Sequence, residues 1–93
     1  KSDGLHPAVL RLINTTVQAA HKAGKWVGVC GELGADPEAV PILVGLGVDE
    51  LSVTVPAIPT VKAQVRVLKY EEAQILAKKA LSCGTASEVR ELV

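Results

Sequence analysis

Two short aliphatic runs separated by a single helix constrain this chain more than anything else in it. The first, Trp26-Val27-Gly28-Val29-Cys30-Gly31, follows Gly24 and opens into a glycine-rich loop. The second, Leu51-Ser52-Val53-Thr54-Val55, alternates aliphatic and hydroxyl residues and is closed by Pro56 and Pro59. Between them, Asp36 is placed to cap a helix with Pro37 at its first position. That helix runs through Val40, Ile42, Leu43 and Leu46 and stops at Gly47. Strand, helix, strand is a βαβ unit, which demands parallel strands and a right-handed crossover.

The two faces of these strands differ. Val27 and Val29, like Leu51 and Val53, put large aliphatic groups on one side, while Gly28, Cys30, Ser52 and Thr54 put small or polar groups on the other. A sheet that packs helices on one face and lines a small polar interior with the other is a wall of a (β/α) barrel, an architecture of about 250 residues. This chain has 93 residues and supplies two of the strands, so it reads as α/β and as a fragment of a (β/α)8 TIM-type barrel.

Four further helices are legible. One runs from Pro7 to Ala23 with Val9, Leu12, Ile13, Val17 and Ala20 at helical spacing, His21 and Lys22 in its last turn, and Gly24 as a left-handed cap. A second spans Pro59 to Leu68. A third spans Tyr70 to Ser82, with Ala73, Leu76, Ala77, Ala80 and Leu81 inward, Glu71, Glu72, Gln74, Lys78 and Lys79 outward, and Gly84 as its stop. Thr85-Ala86-Ser87-Glu88 has the form of a capping box and opens the last helix, to Val93.

Composition narrows the partners. Apolar residues make up 48% but aromatics only 2%, with no Phe or Met, so the core must be built from Val, Leu, Ile and Ala, as in buried parallel sheets. Ten basic residues balance ten acidic ones, which excludes nucleic-acid binding through a basic field. No run approaches the roughly 20 apolar residues of a membrane span, so no membrane insertion is expected. Lys1-Ser2-Asp3-Gly4 does not begin a secretory signal; Cys30 and Cys83 are therefore expected to be reduced thiols of a cytoplasmic protein. The start without Met suggests a piece of a longer chain.

Chemistry concentrates in Gly28-Val29-Cys30-Gly31-Glu32-Leu33-Gly34-Ala35-Asp36-Pro37, which leaves a strand end and enters a capped helix. Gly28, Gly31 and Gly34 would let the backbone approach a ligand or adopt positive φ. If the strand persists to Glu32, Cys30 and Glu32 face the same way. Neither phosphate-loop pattern, G-x-x-x-x-G-K-[ST] or G-x-G-x-x-G, is present. By spacing alone Cys30 is a packing residue of a glycine-rich turn or a functional thiol, and Glu32 a carboxylate satisfying loop amides or one that polarises the thiol. A redox role lacks the C-x-x-C pattern, and no His is near in sequence.

The residues say more than the spacing. Trp26-Val27-Gly28-Val29-Cys30-Gly31-Glu32-Leu33 with Asp36 resembles the G-x-C-G-E-L segment of the phosphoenolpyruvate-utilising enzymes, most nearly the phosphoenolpyruvate–protein phosphotransferase (enzyme I) branch of the bacterial sugar phosphotransferase system. The likeness continues through Gly45-Leu46-Gly47-Val48-Asp49-Glu50-Leu51-Ser52, Ile58-Pro59, Glu72-Ala73 and Ala80-Leu81. His6-Pro7-Ala8-Val9-Leu10 looks like the multiphosphoryl-transfer versions. The resemblance implies that residues 1–93 are the C-terminal portion of the PEP-binding barrel domain, about its last two β/α units plus C-terminal helices.

It further implies a parent enzyme that moves the phosphoryl group of PEP to a protein histidine, with Cys30 as the proton donor that turns enolpyruvate into pyruvate. Gly28, Gly31 and Glu32 would support the substrate loop. Mg²⁺ would serve the intact parent, its ligands lying outside this chain, as would the phosphohistidine and the arginines that clamp PEP. The implied partners are PEP, a histidine-containing phosphocarrier protein met through the missing N-terminal part, and a second copy in a homo-oligomer. His6 and His21 read as surface residues and Cys83 as a packing or exposed thiol. The alternative is a non-catalytic dimerisation or interaction module derived from the same domain.

Overall fold

The computed structural model describes residues 4–30 and 32–93, with the backbone alone described at 30, 32 and 35. The elements follow in the order α1 (Pro7–Lys22), β1 (Gly28–Cys30), α2 (Glu32–Ala35), α3 (Val40–Leu46), β2 (Glu50–Ser52), a 3₁₀ turn (Val55–Ala57), α4 (Ile58–Val67), α5 (Tyr70–Leu81) and α6 (Ala86–Leu92). The two strands pair in parallel, Gly28 opposite Glu50, Val29 opposite Leu51 and Cys30 opposite Ser52. The result is a mixed α/β unit around a small two-stranded sheet.

Both strands are shorter than the aliphatic runs that announce them, and the reason is mutual. A ladder lasts only as long as both partners run extended. Beyond Cys30 the chain passes to α2 from Glu32, so Val53 and Thr54 have no β1 residue opposite them. The 3₁₀ turn built on Pro56 then takes over. Glu32 therefore belongs to a helical turn and not to a strand continued from Cys30.

The core is largely helical. Leu5, Leu10, Ala39, Ile42, Leu43, Leu46, Ala77, Ala80 and Val89 form one buried cluster, and Val29, Leu33, Val48 and Leu51 pack against it from the sheet side. α3 is its centre, with Val40, Pro41, Ile42, Leu43 and Leu46 all buried, as its nearly all-apolar sequence requires. Of the expected stripe on α1, Val17 is buried and Ile13 packs against the core, but Leu12 is 67% exposed, while Pro7 and Leu10, outside the stripe, are buried. Leu10 lies in the same cluster as Leu5, which stands ahead of the helix.

The closest packing joins α3 to α5. A methyl group on Gly45 would sit against the Ala73 carbonyl, 2.5 Å from its carbon, and 3.0 Å from the Ala77 Cβ. Gly45 and the small residues Ala73 and Ala77 thus let two helix backbones meet almost directly. α3 ends in a Schellman cap: Gly47 at φ 95° donates to Val44 O at 3.0 Å, and Val48 donates to Leu43 O at 3.2 Å. Gly24 closes α1 the same way, as the sequence predicts.

Gly84 does not end α5 as expected, since it lacks the left-handed backbone; its N–H instead donates to Glu88 Oε1 at 3.1 Å, within the cap of α6. Thr85 Oγ1 accepts from Glu88 N at 3.2 Å, the predicted half of the capping box. The end of α5 is held from α1, where Arg11 donates through Nε to Leu81 O and through Nη2 to Cys83 O, at 3.1 and 2.9 Å. α6 is tied down by Arg90, which donates to Asp36 Oδ2 at 3.0 Å and to Glu38 Oε1. Asp36 also accepts from Glu38 N at 3.0 Å, so it caps the turn at 37–39 and α3 proper starts three residues after Pro37.

His21 is exposed but not idle. Its Nε2 lies 2.7 Å from Asp49 Oδ2, which also accepts from Val27 N at 2.8 Å. A carboxylate can only accept, so the imidazole Nε2 carries the proton. The triangle joins the end of α1 to the starts of both strands. The His21 hydrogen bond first, and the Val27 amide second, hold the Asp49 carboxyl below the usual carboxylate range. A depressed folded pKa stabilises the fold above the unfolded value of about 3.9 and is lost as pH falls through the folded one. Asp49→Asn should therefore lower the melting temperature at pH 7 by more than it does at pH 3. Thermal unfolding at the two pH values checks this; an equal deficit at both would show that the charge contributes nothing.

Candidate functional site

The site begins at the C-terminal end of the sheet. α2 lies across both strand ends with Gly34 against them: a methyl group there would stand 3.4 Å from Val29 O and 3.5 Å from Ser52 O, in ordinary contact with both. Gly34 is buried, and neither it nor Gly28 uses positive φ, so of the two roles expected of these glycines the left-handed backbone is not taken at either. Gly31 lies outside the described residues, as do the side chains of Cys30 and Glu32.

The sheet face away from the helices carries Gly28, Glu50 and Ser52, all exposed, with Cys30 at the register position beside Ser52. The Trp26 ring and the Glu50 carboxylate fill the space above Gly28, each with an atom 3.3 Å from where a Cβ would stand. Ser52 Oγ donates a long hydrogen bond to Glu50 Oε1 at 3.5 Å. Val29 and Leu51 turn the other way, into the core. The division into an aliphatic face and a small or polar face is thus realised in the register; Glu50, which the sequence reading leaves outside the strand, joins the polar one.

The expected surface residues keep to the periphery. His6 caps α1, its Nδ1 accepting from Ala8 N at 3.1 Å, and His21 serves the Asp49 triangle. Cys83 is a half-buried free thiol that donates to Lys79 O at 3.3 Å. Among the described residues no three His, Cys, Asp or Glu side chains converge to hold a metal ion. The described residues therefore do not fit a magnesium site of their own. A groove of about 480 Å³ runs between β2 and α4, floored by Val44, Val48, Leu51, Val61 and Val65; it does not reach β1. Among the described residues no helix is long and apolar enough to cross a membrane.

The described residues form an α/β unit with a cysteine position at the carboxyl end of a parallel strand. The chain belongs to the family of PEP-utilising enzymes: residues 1–70 match the model of their PEP-binding domain. A multiphosphoryl transfer protein of Rhodobacter capsulatus is 54% identical over 92 residues, 99% of this chain and 11% of that protein. Multiphosphoryl transfer protein 2 of Escherichia coli K12 is 47% identical over 98% of this chain and 11% of its own length. The phosphoenolpyruvate-protein phosphotransferase of Bacillus sp. (strain S) is 49% identical over 95% of this chain and 15% of its own. The chain thus spans between a tenth and a sixth of the length of these curated relatives. Residues 71–93 lie beyond the matched family segment, yet Ala77, Ala80 and Val89 from them complete the core.

Proposed function

We propose that this chain is the C-terminal part of a PEP–protein phosphotransferase, an enzyme that moves the phosphoryl group of PEP to a protein histidine for sugar uptake. The observation that carries the reading is the kinship over nearly the whole chain with proteins named for that transfer. Residues 1–93 form one partial barrel unit whose missing strands belong to the longer protein. The parallel pair with helices on one face and polar positions on the other supports that reading. The metal, the phosphohistidine and the PEP-clamping groups belong to that longer protein as well, which works in the cytoplasm with a histidine-containing phosphocarrier.

Within it, Cys30 is the proton donor, with Gly28, Gly31 and Glu32 supporting the loop around it. Phosphoryl transfer leaves enolpyruvate, whose methylene carbon is electron-rich. The enolate's carbon–carbon double bond takes the proton from the Cys30 thiol, the S–H bond breaks, the enolate oxygen becomes the ketone of pyruvate, and the thiolate later regains a proton from water. A thiol with a reference pKa of about 8.5 is mostly protonated at neutral pH and still acidic enough for the task. Incubated with PEP, Mg²⁺ and a phosphocarrier, the longer protein containing this segment should form pyruvate and the 93-residue chain alone should not. Pyruvate from the isolated chain would relocate the active site, and none from the longer protein would remove the enzymatic reading.

An interaction role has its own support. Among the described residues each strand is paired along one edge only, and Trp26, Val55 and Val67 are 68%, 78% and 80% exposed. Open edges and exposed aliphatic groups favour association. The isolated chain is expected to form a homodimer; sedimentation equilibrium showing a folded monomer with no concentration dependence would refute it.

A further inference from the structure

The segment that closes the C-terminal end of the sheet is held in place from the far end of the chain. It leaves β1 at Cys30, forms α2 across both strand ends, and reaches α3 through the turn at 36–39. Its own hydrogen bonds are local: Ala39 N and Val40 N donate to Asp36 O at 2.9 and 3.1 Å, and Glu38 N donates to Asp36 Oδ1 at 3.0 Å. One turn of helix and one capped turn cannot hold their shape alone. Two distant helices supply the rest. Gln64 of α4 donates through Nε2 to Pro37 O at 2.6 Å. Arg90 of α6 donates through Nη2 to Asp36 Oδ2 at 3.0 Å and through Nη1 to Glu38 Oε1.

We infer that Arg90, assisted by Gln64, is a positioning residue for pyruvate formation: it clamps the turn at 36–39 and so keeps α2 seated on the strand ends that follow the Cys30 position. The inference rests on the reading of Cys30 as the proton donor. The physics lies in the fork. A guanidinium offers its donors in one rigid plane, and here one nitrogen takes the carboxylate that caps the turn while the other takes the carboxylate two residues on. Asp36, Glu38 and Arg90 are all half-buried, so salt and water screen them less than on open surface. Val89, beside Arg90 in the chain, is fully buried in the core, which fixes α6 and aims the fork at the turn. Sites of this architecture sit at the C-terminal ends of strands, where a displacement of about 1 Å can cost 10²-fold in rate. α6 lies beyond residues 1–70, the part matched to the PEP-binding domain, so the clamp gives a working role to a stretch that otherwise fills the core.

Hydrogen–deuterium exchange of the 93-residue chain reads the clamp directly. Arg90→Gln should speed exchange at Glu38, Ala39 and Val40 about tenfold, the worth of one hydrogen bond to a charged group, while the amides of α5 keep their protection. Arg90→Lys, which keeps the charge without the fork, should recover part of the difference. In the longer enzyme, Arg90→Gln should lower kcat for pyruvate about tenfold and leave the KM for PEP unchanged, with Arg90→Lys again in between. Unchanged exchange at residues 38–40 would overturn the inference, because nothing is then clamped. Exchange raised equally throughout α5 would overturn it too, because Arg90 would then serve the fold at large. So would a normal kcat for Arg90→Gln in an enzyme that Cys30→Ala disables. Faster exchange at residues 38–40 together with full turnover of Cys30→Ala would sink the proton-donor reading and leave the clamp standing.

Discussion

Replacing Cys30 by alanine in the longer enzyme is expected to slow pyruvate formation by about 10²- to 10⁴-fold, the usual worth of a positioned general acid. The loss should fall on turnover and not on PEP binding, because the carbon that takes the proton becomes basic only after the phosphoryl group has left. Single-turnover experiments separate the two: histidine phosphorylation should proceed while pyruvate lags behind. Cys83→Ala is the control. Cys83 is engaged with the Lys79 carbonyl at the end of α5, on a different element from the sheet, and its replacement should leave turnover unchanged. Equal losses from both substitutions, or normal turnover without Cys30, would make Cys30 a packing residue.

The second large effect is on stability. Gly45→Ala should destabilise the fold even though alanine is the better helix former by about 1 kcal/mol. The added methyl group meets the Ala73 carbonyl on α5, which is backbone and cannot rotate away, so α3 and α5 must separate. Overpacking of this kind costs about 1–3 kcal/mol, occasionally more, and the separation would loosen the cluster around Ile42, Leu43, Ala77 and Ala80. At about 4–8 °C per kcal/mol for a domain of this size, the melting temperature should drop by roughly 10 °C. Gly24→Ala offers a comparison, since a methyl group there would point into open space and meet only the penalty of a left-handed backbone. Thermal denaturation of the two variants decides it: a Gly45→Ala protein as stable as the parent would mean that the helix pair can relax.

Where sequence and structure agree, the deciding interactions are local. The end of α1 at Gly24 and of α3 at Gly47, the opening of α6 at Thr85, and the inward stripe of α5 through Ala73, Ala77 and Ala80 each follow from residues within one or two turns. The division of the strands into an aliphatic and a polar face is likewise written in a two-residue period, and the segment from Trp26 to Asp36 is specific enough to indicate the family. For the candidate site, the sequence puts Cys30 and Ser52 on one polar face but leaves out Glu50, whose place opposite Gly28 is a matter of register between segments some twenty residues apart.

What only the tertiary structure decided has long-range causes. The strands stop at Cys30 and Ser52 because each needs the other, and no property of Val53 or Thr54 announces that the partner has turned into α2. Leu10 and not Leu12 is buried because the face of α1 that meets α3, α5 and α6 is the one carrying Leu10, which shares their cluster. Arg11 reads as a solvated helix residue until the last carbonyls of α5, some seventy positions away, come within its reach. His21 reads as a surface group until Asp49 is set against it. Caps, periods and motifs are determined by the sequence alone because their energetics are settled among neighbours along the chain. Strand length, the choice of buried face and the partner of a charged group depend on surfaces that exist only once distant segments have packed.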